Sequence, residues 1–188
     1  MIARLGLPLG RPRAAWGTAG VLLAVYAVTM ARGPTFYDSP ELALVAHELG
    51  VGHPIGQPLH TLVGWLFAHL PGVPPHVGLT LMSALFGALA VLPAWSLSER
   101  FAPPADRPLA SLGRALALAG FGLSLVAWEP ATRVEVYTLA AFGALWTLAR
   151  ATDARTFGAW LGVGVALGLT ASTHAVMAAS AALALIPL

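Results

Sequence analysis

Residues 77–98, VGLTLMSALFGALAVLPAWSLS, form a continuous stretch without one charged side chain. A helix that crosses a bilayer needs about 20 mostly apolar residues, and this stretch meets that requirement. The whole chain has the same character, since 57% of its 188 residues are apolar and only 10% are charged. A soluble domain carries roughly 25% charged residues, which it needs to cover its water-facing surface. The sequence therefore predicts an all-α, polytopic membrane protein whose partner and solvent is the lipid bilayer.

Further apolar stretches extend this prediction to a bundle of about six transmembrane helices within a single membrane domain, residues 1–188. The predicted spans are about 14–31, 77–98, 109–127, 134–149, 157–171 and 174–188. In the third span we expect Arg114 to extend its side chain toward the polar headgroups. Because the last span is cut off at residue 188, we expect the chain to be the N-terminal part of a longer membrane domain.

All ten positive charges are arginines, and their positions orient the predicted spans. Cytoplasmic loops are enriched in basic residues, which favours an N-terminus in the cytoplasm. Two arginines, Arg32 and Arg133, then face outward, together with all six histidines. The other eight face inward, namely Arg4, Arg11, Arg13, Arg100, Arg107, Arg114, Arg150 and Arg155. These arginines flank apolar stretches and form no basic patch, so nucleic acid is not an expected partner.

The absence of lysine, with abundant Ala, Gly, Leu and Val, favours a GC-rich bacterial genome. We therefore expect a multi-pass protein of the bacterial inner (cytoplasmic) membrane.

Its polar outer loop, residues 32–76, is predicted to contain two short amphipathic helices that lie in the interface. The first begins at Asp38 or Ser39 and ends at Gly50, and the second covers about 57–70 with apolar residues at helical spacing.

The acidic residues of DSPE, residues 38–41, admit two interpretations. As a helix N-terminus, Asp38 accepts backbone N–H groups and Glu41 completes a pair that resembles a capping box. The alternative is a functional site, because a carboxylate at the membrane edge costs free energy and is therefore expected to have a functional role there. The histidines lack the close spacing of helical metal pairs, so no dedicated metal site is predicted. A divalent cation such as Mg or Mn, held by carboxylates beside a phosphate, stays open.

Several motifs occur in a characteristic order along residues 34–188. They are D-S-x-E, L-G-x-x-HP-x-G-x-PL, LMSALFGALAV, W-x-x-A-x-R-x-EVY and THAV. In this order they resemble the bacterial and animal protein O-mannosyltransferase-like family of polytopic glycosyltransferases, of the GT-C class. The first loop departs from the pattern usual in that family, since Ile55 and Gln57 replace a proline and an aromatic residue.

The resemblance implies an inverting transferase that moves a sugar, mannose by analogy, from a polyprenyl-phosphate donor to a hydroxyl acceptor. The acceptor would be Ser or Thr of an exported protein, or a glycan, at the outer face. Asp38 would be the catalytic base, with Glu41 as the second candidate. A further set would bind the donor phosphate or the substrate, namely His53, Gly56, Gln57, His60, Arg133, Glu135 and His174.

Two other classes of function fit parts of the sequence. A transporter module would explain short spans with polar residues, but the ionisable groups lie at one face and no internal repeat is present. A non-catalytic, truncated fragment or scaffold that binds lipid or a partner would explain the length of the chain. An assay for sugar transfer separates the enzyme from both alternatives.

Overall fold

The computed structural model describes residues 13–54, 56–101 and 108–186, and these residues contain α-helices and no strand. This confirms the predicted all-α fold class. The helices are α1 (Arg13–Thr29), α2 (Ser39–Glu48), α3 (Pro58–Ala68), α4 (Pro75–Leu89), α5 (Val91–Phe101), α6 (Pro108–Gly122), α7 (Leu125–Ala131), α8 (Tyr137–Ala151), α9 (Phe157–Ala171) and α10 (Ala175–Ala184). Arg4, Arg11, Ile55 and Arg107 lie outside the described residues.

Helices α4 and α5 follow each other without a break and form the apolar helix predicted around residues 77–98. Together they cover Pro75–Phe101, which is 27 residues. Among the described residues this is the one helix long and apolar enough to cross a membrane by itself, and the bent pair α6–α7 adds a second if it counts as one span. Helices α3, α9 and α10 are apolar but shorter. The number of six spans therefore stays a prediction.

Helix α4 and its continuation α5 lie at the centre of the packing. One buried cluster joins this helix to α1 through Leu22 and Tyr26 and to α7 through Ala131. A second buried cluster joins it to α2 through Leu42 and Ala46. The apolar surface of a single helix thus aligns the elements that surround it.

The two helices predicted in the loop between the first spans are confirmed as α2 and α3. Asp38 is the N-cap of α2 and a proline lies in its first turn, as predicted. Leu49, and not Gly50, takes the left-handed conformation that ends this helix. Helix α3 is amphipathic in the expected sense, because it buries Thr61 and Gly64 and exposes apolar side chains on its other face.

Helices α2 and α3 run side by side in the same general direction. At their beginnings, the loop that follows α2 turns back so that His53 contacts Glu41 in the first turn of α2. At their ends, the rings of His47 and His69 stack with their centroids 4.8 Å apart. Both helix N-termini therefore lie close together, at the same place in the fold.

The third predicted span, 109–127, falls on two helices that meet at a bend. Helix α6 ends at Gly122, and α7 begins at Leu125 after a bend of 65°. The hydroxyl of Tyr26 in α1 donates a 2.7 Å hydrogen bond to the carbonyl oxygen of Gly122, which satisfies a group at the break. Ser124 then adopts an extended backbone conformation as the N-cap of α7.

The side chain of Arg114, which was expected to extend toward the headgroups, packs against an aromatic ring. Arg114 is buried, and its guanidinium carbon lies 5.4 Å from the centre of the Trp95 ring. The indole N–H of Trp95 donates to Glu99, which fixes the orientation of the ring. A cation over the face of an indole ring is stabilised inside the bundle, so the side chain need not reach the headgroups.

We predict that Gly78→Ala lowers the stability of the protein by about 2 kcal/mol or more, because overpacking displaces backbone. A Cβ at Gly78 would lie 2.0 Å from the carbonyl oxygen of Phe67 in α3. The control is Gly113→Ala in α6, where a Cβ meets nothing within 4 Å. Thermal unfolding of the detergent-solubilised protein measures both variants, and equal melting temperatures would contradict the close contact between α3 and α4.

Candidate functional site

Three helices begin around one small region of the surface. The residues that precede them are Asp38 before α2, Gln57 before α3 and His174 before α10. The backbone N–H of Leu59 in α3 donates to the carbonyl oxygen of Ser172, which ties the beginning of α3 to the segment before α10. The fold thus brings together residues that are more than a hundred positions apart in the sequence.

His53 lies between two carboxylates. Its backbone N–H donates to Glu41 Oε1 at 2.7 Å, and its Nδ1 lies 3.2 Å from Glu41 Oε2. A carboxylate only accepts hydrogen bonds, so Nδ1 carries a proton and Nε2 is the nitrogen directed to the other side. Nε2 lies 4.0 Å from Asp38 Oδ2. Both oxygens of the Glu41 carboxylate are therefore bonded to His53, whereas the side chain of Asp38 is 62% exposed.

This arrangement lacks the hydrogen bonds of the capping interpretation of residues 38–41. The carboxylate of Asp38 makes no capping hydrogen bond, although the residue is in the N-cap position of α2. Glu41 turns to His53 and does not complete a capping box. Both hydrogen bonds with His53 lower the pKa of Glu41, so the carboxylate stays ionised as the pH falls below its ordinary range. Neither carboxylate therefore caps the beginning of α2, and Glu41 instead holds the loop at His53.

A cavity of about 340 Å³ opens next to this pair of carboxylates. Its walls include the side chains of His53, Gln57 and His174, together with residues 171–173 at the end of α9. The backbone N–H of Met177 donates to Nδ1 of His174 at 3.3 Å, so in the neutral ring the proton lies on Nε2. His174 can therefore donate a hydrogen bond to a ligand in the cavity.

Arg133 and Glu135 form a second polar cluster, outside the lining of this cavity. Arg133 Nη1 lies 2.8 Å from Glu129 Oε1, and Arg133 Nε lies 3.1 Å from Glu135 Oε1. The second contact is an ion pair and not an aligned hydrogen bond, since Nε has no acceptor in line. The Arg133 guanidinium carbon also lies 5.5 Å from the centre of the Tyr37 ring.

Glu135 lies in the connection between α7 and α8 and is almost fully buried. Burial raises the pKa of Glu135, the charge of Arg133 opposes this shift, and the negative charges of Asp38 and Glu129 add to it. The backbone N–H of Glu135 donates to Ser83 Oγ of α4 at 3.3 Å, which attaches the connection to the central helix. This interaction keeps the carboxylate beside Arg133.

Two of the predicted site residues have different surroundings. His60 is 1% exposed on the buried face of α3, and its Nε2 has no hydrogen-bond partner in the described structure. Burial lowers the pKa of His60 to about 4, so the ring is neutral at physiological pH. Gly56 has φ +88, and a Cβ added to it would meet nothing within 4 Å, so here the glycine allows a sharp turn with open space beside it.

The sequence did not indicate Tyr37 or Ser83 as parts of the site, whereas Glu129 was expected at the outer face with Arg133 and Glu135. Tyr37 directly precedes Asp38, which is a signal that could have been used, but Ser83 looks like any small residue of an apolar helix. In the described part of the chain, no three His, Asp or Glu side chains have the arrangement of metal ligands. The candidate site is therefore a carboxylate and imidazole cluster at one end of the bundle.

The fold and the site together define a class of protein, namely a largely apolar helical bundle with a ligand-sized cavity of mixed polar and apolar lining at one end. Residues 38–187 match the family described as the Protein O-mannosyl-transferase TMEM260 N-terminal domain. The chain belongs to this family, which confirms the resemblance inferred from the motifs.

Two relatives carry the same name. The chain is 34% identical over 117 residues to Protein O-mannosyl-transferase TMEM260 of Mus musculus, an alignment that covers 62% of this chain and 16% of the relative. It is 34% identical over 71 residues to Protein O-mannosyl-transferase tmem260 of Dictyostelium discoideum, covering 35% of this chain and 8% of that relative. The chain thus spans a small part of these proteins. No solved structure matches it at a significant level.

We predict that Glu41→Gln increases amide hydrogen exchange in residues 49–53, because the loop loses the ionised acceptor that holds His53. Glu48→Gln on the same helix is the matched control, and it should leave this exchange unchanged. Because the pKa of Glu41 is lowered in the fold, its contribution is present above the ordinary pKa and is lost as the pH falls through the lowered value. The wild-type loop should therefore open in that acidic range, whereas equal exchange in both variants at neutral pH would refute the contact.

We predict that Arg133→Met destabilises the protein by about 3 kcal/mol, because it leaves the buried Glu135 without its cation. Adding Glu135→Gln should restore a large part of this loss, since the double variant buries no unpaired charge. Thermal unfolding of the two single variants and the double variant gives the coupling between them. A double variant as unstable as Arg133→Met would contradict the pairing.

Proposed function

We propose that this chain forms the N-terminal part of a larger membrane domain that transfers mannose from a polyprenyl-phosphate donor to a hydroxyl acceptor. The acceptor is Ser or Thr of an exported polypeptide. The proposal is supported by family membership and by the relatives, whose names describe protein O-mannosyl-transferases. The observation that carries it is the exposed carboxylate of Asp38 beside a cavity lined by imidazoles.

The donor phosphate binds in the cavity of about 340 Å³. Helix α10 begins there, and the N-terminus of a helix attracts anions through its free N–H groups and its dipole. His174 donates from Nε2, and His53 and Gln57 supply further polar groups. Gly56 lets the backbone come close to the phosphate. This cavity is within the size range of small-molecule sites, so it accommodates the phosphate and part of the sugar.

Asp38 accepts the proton of the acceptor hydroxyl as the hydroxyl oxygen attacks the anomeric carbon of the sugar. The phosphate leaves with the electrons of the broken bond, and one displacement inverts the anomeric centre, as in an inverting transferase of GT-C type. Asp38 is better suited than Glu41 as the base, because both oxygens of Glu41 already accept hydrogen bonds from His53. Glu41 instead holds the loop that forms the cavity wall.

The end of the bundle that carries the site faces the outside of a bacterial inner membrane, with the N-terminus of the chain in the cytoplasm. The described arginines support this orientation, because Arg32 and Arg133 lie at the site end and Arg100 and Arg150 lie at the other end of the bundle. The donor lipid then extends along the bundle, and the acceptor arrives from the aqueous side.

We predict that Asp38→Asn reduces mannose transfer by about 10²- to 10⁴-fold, the usual contribution of a general base. The assay uses membranes that contain the full-length gene product, a radiolabelled polyprenyl-phosphate mannose and a Ser/Thr peptide. Glu48→Gln, at an exposed carboxylate of the same helix, should retain full activity. Transfer by Asp38→Asn at the wild-type rate would show that Asp38 is not the base.

A further inference from the structure

Tyr37 has a backbone conformation that its position in the chain does not explain. Among the described residues, two that are not glycine have a positive φ, Tyr37 at 62° and Leu49 at 53°. Leu49 ends α2, and a left-handed residue is common at that point of a helix. Tyr37 lies before the N-cap of α2, where no helix ends. A bulky residue with positive φ is a strained outlier, and such outliers concentrate at functional sites.

The side chain of Tyr37 is fixed on one face and open on the other. Its ring lies over the guanidinium of Arg133 at 5.5 Å, and Arg133 is itself held by Glu129 and Glu135. Even so, Tyr37 is 82% exposed. A strained backbone and a buttressed ring therefore present an aromatic surface to solvent, directly beside Asp38.

The position of Tyr37 relative to the cavity indicates which substrate it contacts. In a displacement with inversion, the attacking group and its base lie on the face of the sugar opposite the leaving group. His53 lines the proposed phosphate cavity, and neither Tyr37 nor Arg133 does. Tyr37 is thus next to the proposed base but outside the proposed donor cavity, which leaves its exposed ring free to contact the acceptor.

We propose that Tyr37 is a specificity-determining residue that binds the acceptor polypeptide, through contact between its exposed ring face and an apolar side chain next to the reactive Ser or Thr. Arg133 is the positioning residue for this ring. The inference rests on the proposed transferase function and adds a binding residue to it. An aromatic ring supplies a large contact area with little loss of conformational freedom, which suits a peptide that is flexible before it binds.

The test compares Tyr37→Gly, Tyr37→Phe and Leu49→Gly in the full-length protein. Glycine relieves the positive φ at either position, so neither glycine variant is expected to unfold more easily through that change. KM is measured separately for polyprenyl-phosphate mannose and for two threonine peptides, one with valine and one with glycine beside the threonine.

We expect Tyr37→Gly to raise the KM of the valine peptide by about tenfold and to remove its advantage over the glycine peptide. The KM of the donor and kcat should stay within about twofold. Tyr37→Phe should resemble the wild type. Leu49→Gly should change neither KM, and it is the control for the effect of relieving a positive φ without removing the Tyr37 ring.

Three results would overturn the proposal while the transferase function stands, namely an unchanged peptide KM in Tyr37→Gly, an effect on the donor KM, or an equal effect of Leu49→Gly. Transfer to an oligosaccharide but not to either peptide would also overturn it, because the acceptor would then be a glycan. If the wild-type protein transfers mannose to no acceptor, the proposed function fails and this inference fails with it.

Discussion

The packing of one long apolar helix, Pro75–Phe101, is the constraint on which the rest of this structure depends. Its side chains enter both buried clusters, so α1, α2 and α7 are aligned against the same surface. The close contact of α3 with α2 and α4 requires a small residue, since a Cβ at Gly64 would lie 2.9 Å from both Ala46 Cβ and Leu79 Cδ2. In an apolar environment such close packing replaces the hydrophobic effect as the force between helices.

The same helix anchors the polar end of the bundle. Ser83 accepts a hydrogen bond from the backbone of Glu135, which keeps a buried carboxylate next to Arg133. On the neighbouring side, Glu41 holds His53 through both its backbone N–H and its ring. These two attachments have one consequence in common, because each fixes a polar group beside Asp38 without using the oxygens of Asp38. The acidic residue that is left accessible is the one that the proposed chemistry requires.

The elements that sequence patterns predicted well are those set by local rules. Residues 77–98 are helical because a long uncharged stretch has one favourable way to satisfy its backbone, and α2 begins at Asp38 because a proline follows in the first turn. The bend between α6 and α7 could not be predicted, since the hydroxyl that satisfies Gly122 belongs to Tyr26, 96 residues away. The contact of Arg114 with Trp95 could not be predicted for a similar reason, because the two residues are on different helices.

The candidate site divides in the same way between local and tertiary information. By itself the sequence determined the helical class, the amphipathic α3, the carboxylates at 38 and 41 and the imidazole at 53, because these depend on composition and on neighbours within a few positions. Only the tertiary structure decided which carboxylate is occupied and that His174 joins His53 at one cavity. It alone placed the strained Tyr37 over Arg133. Distances between residues far apart in the chain follow from helix packing, and no periodicity of the sequence records them.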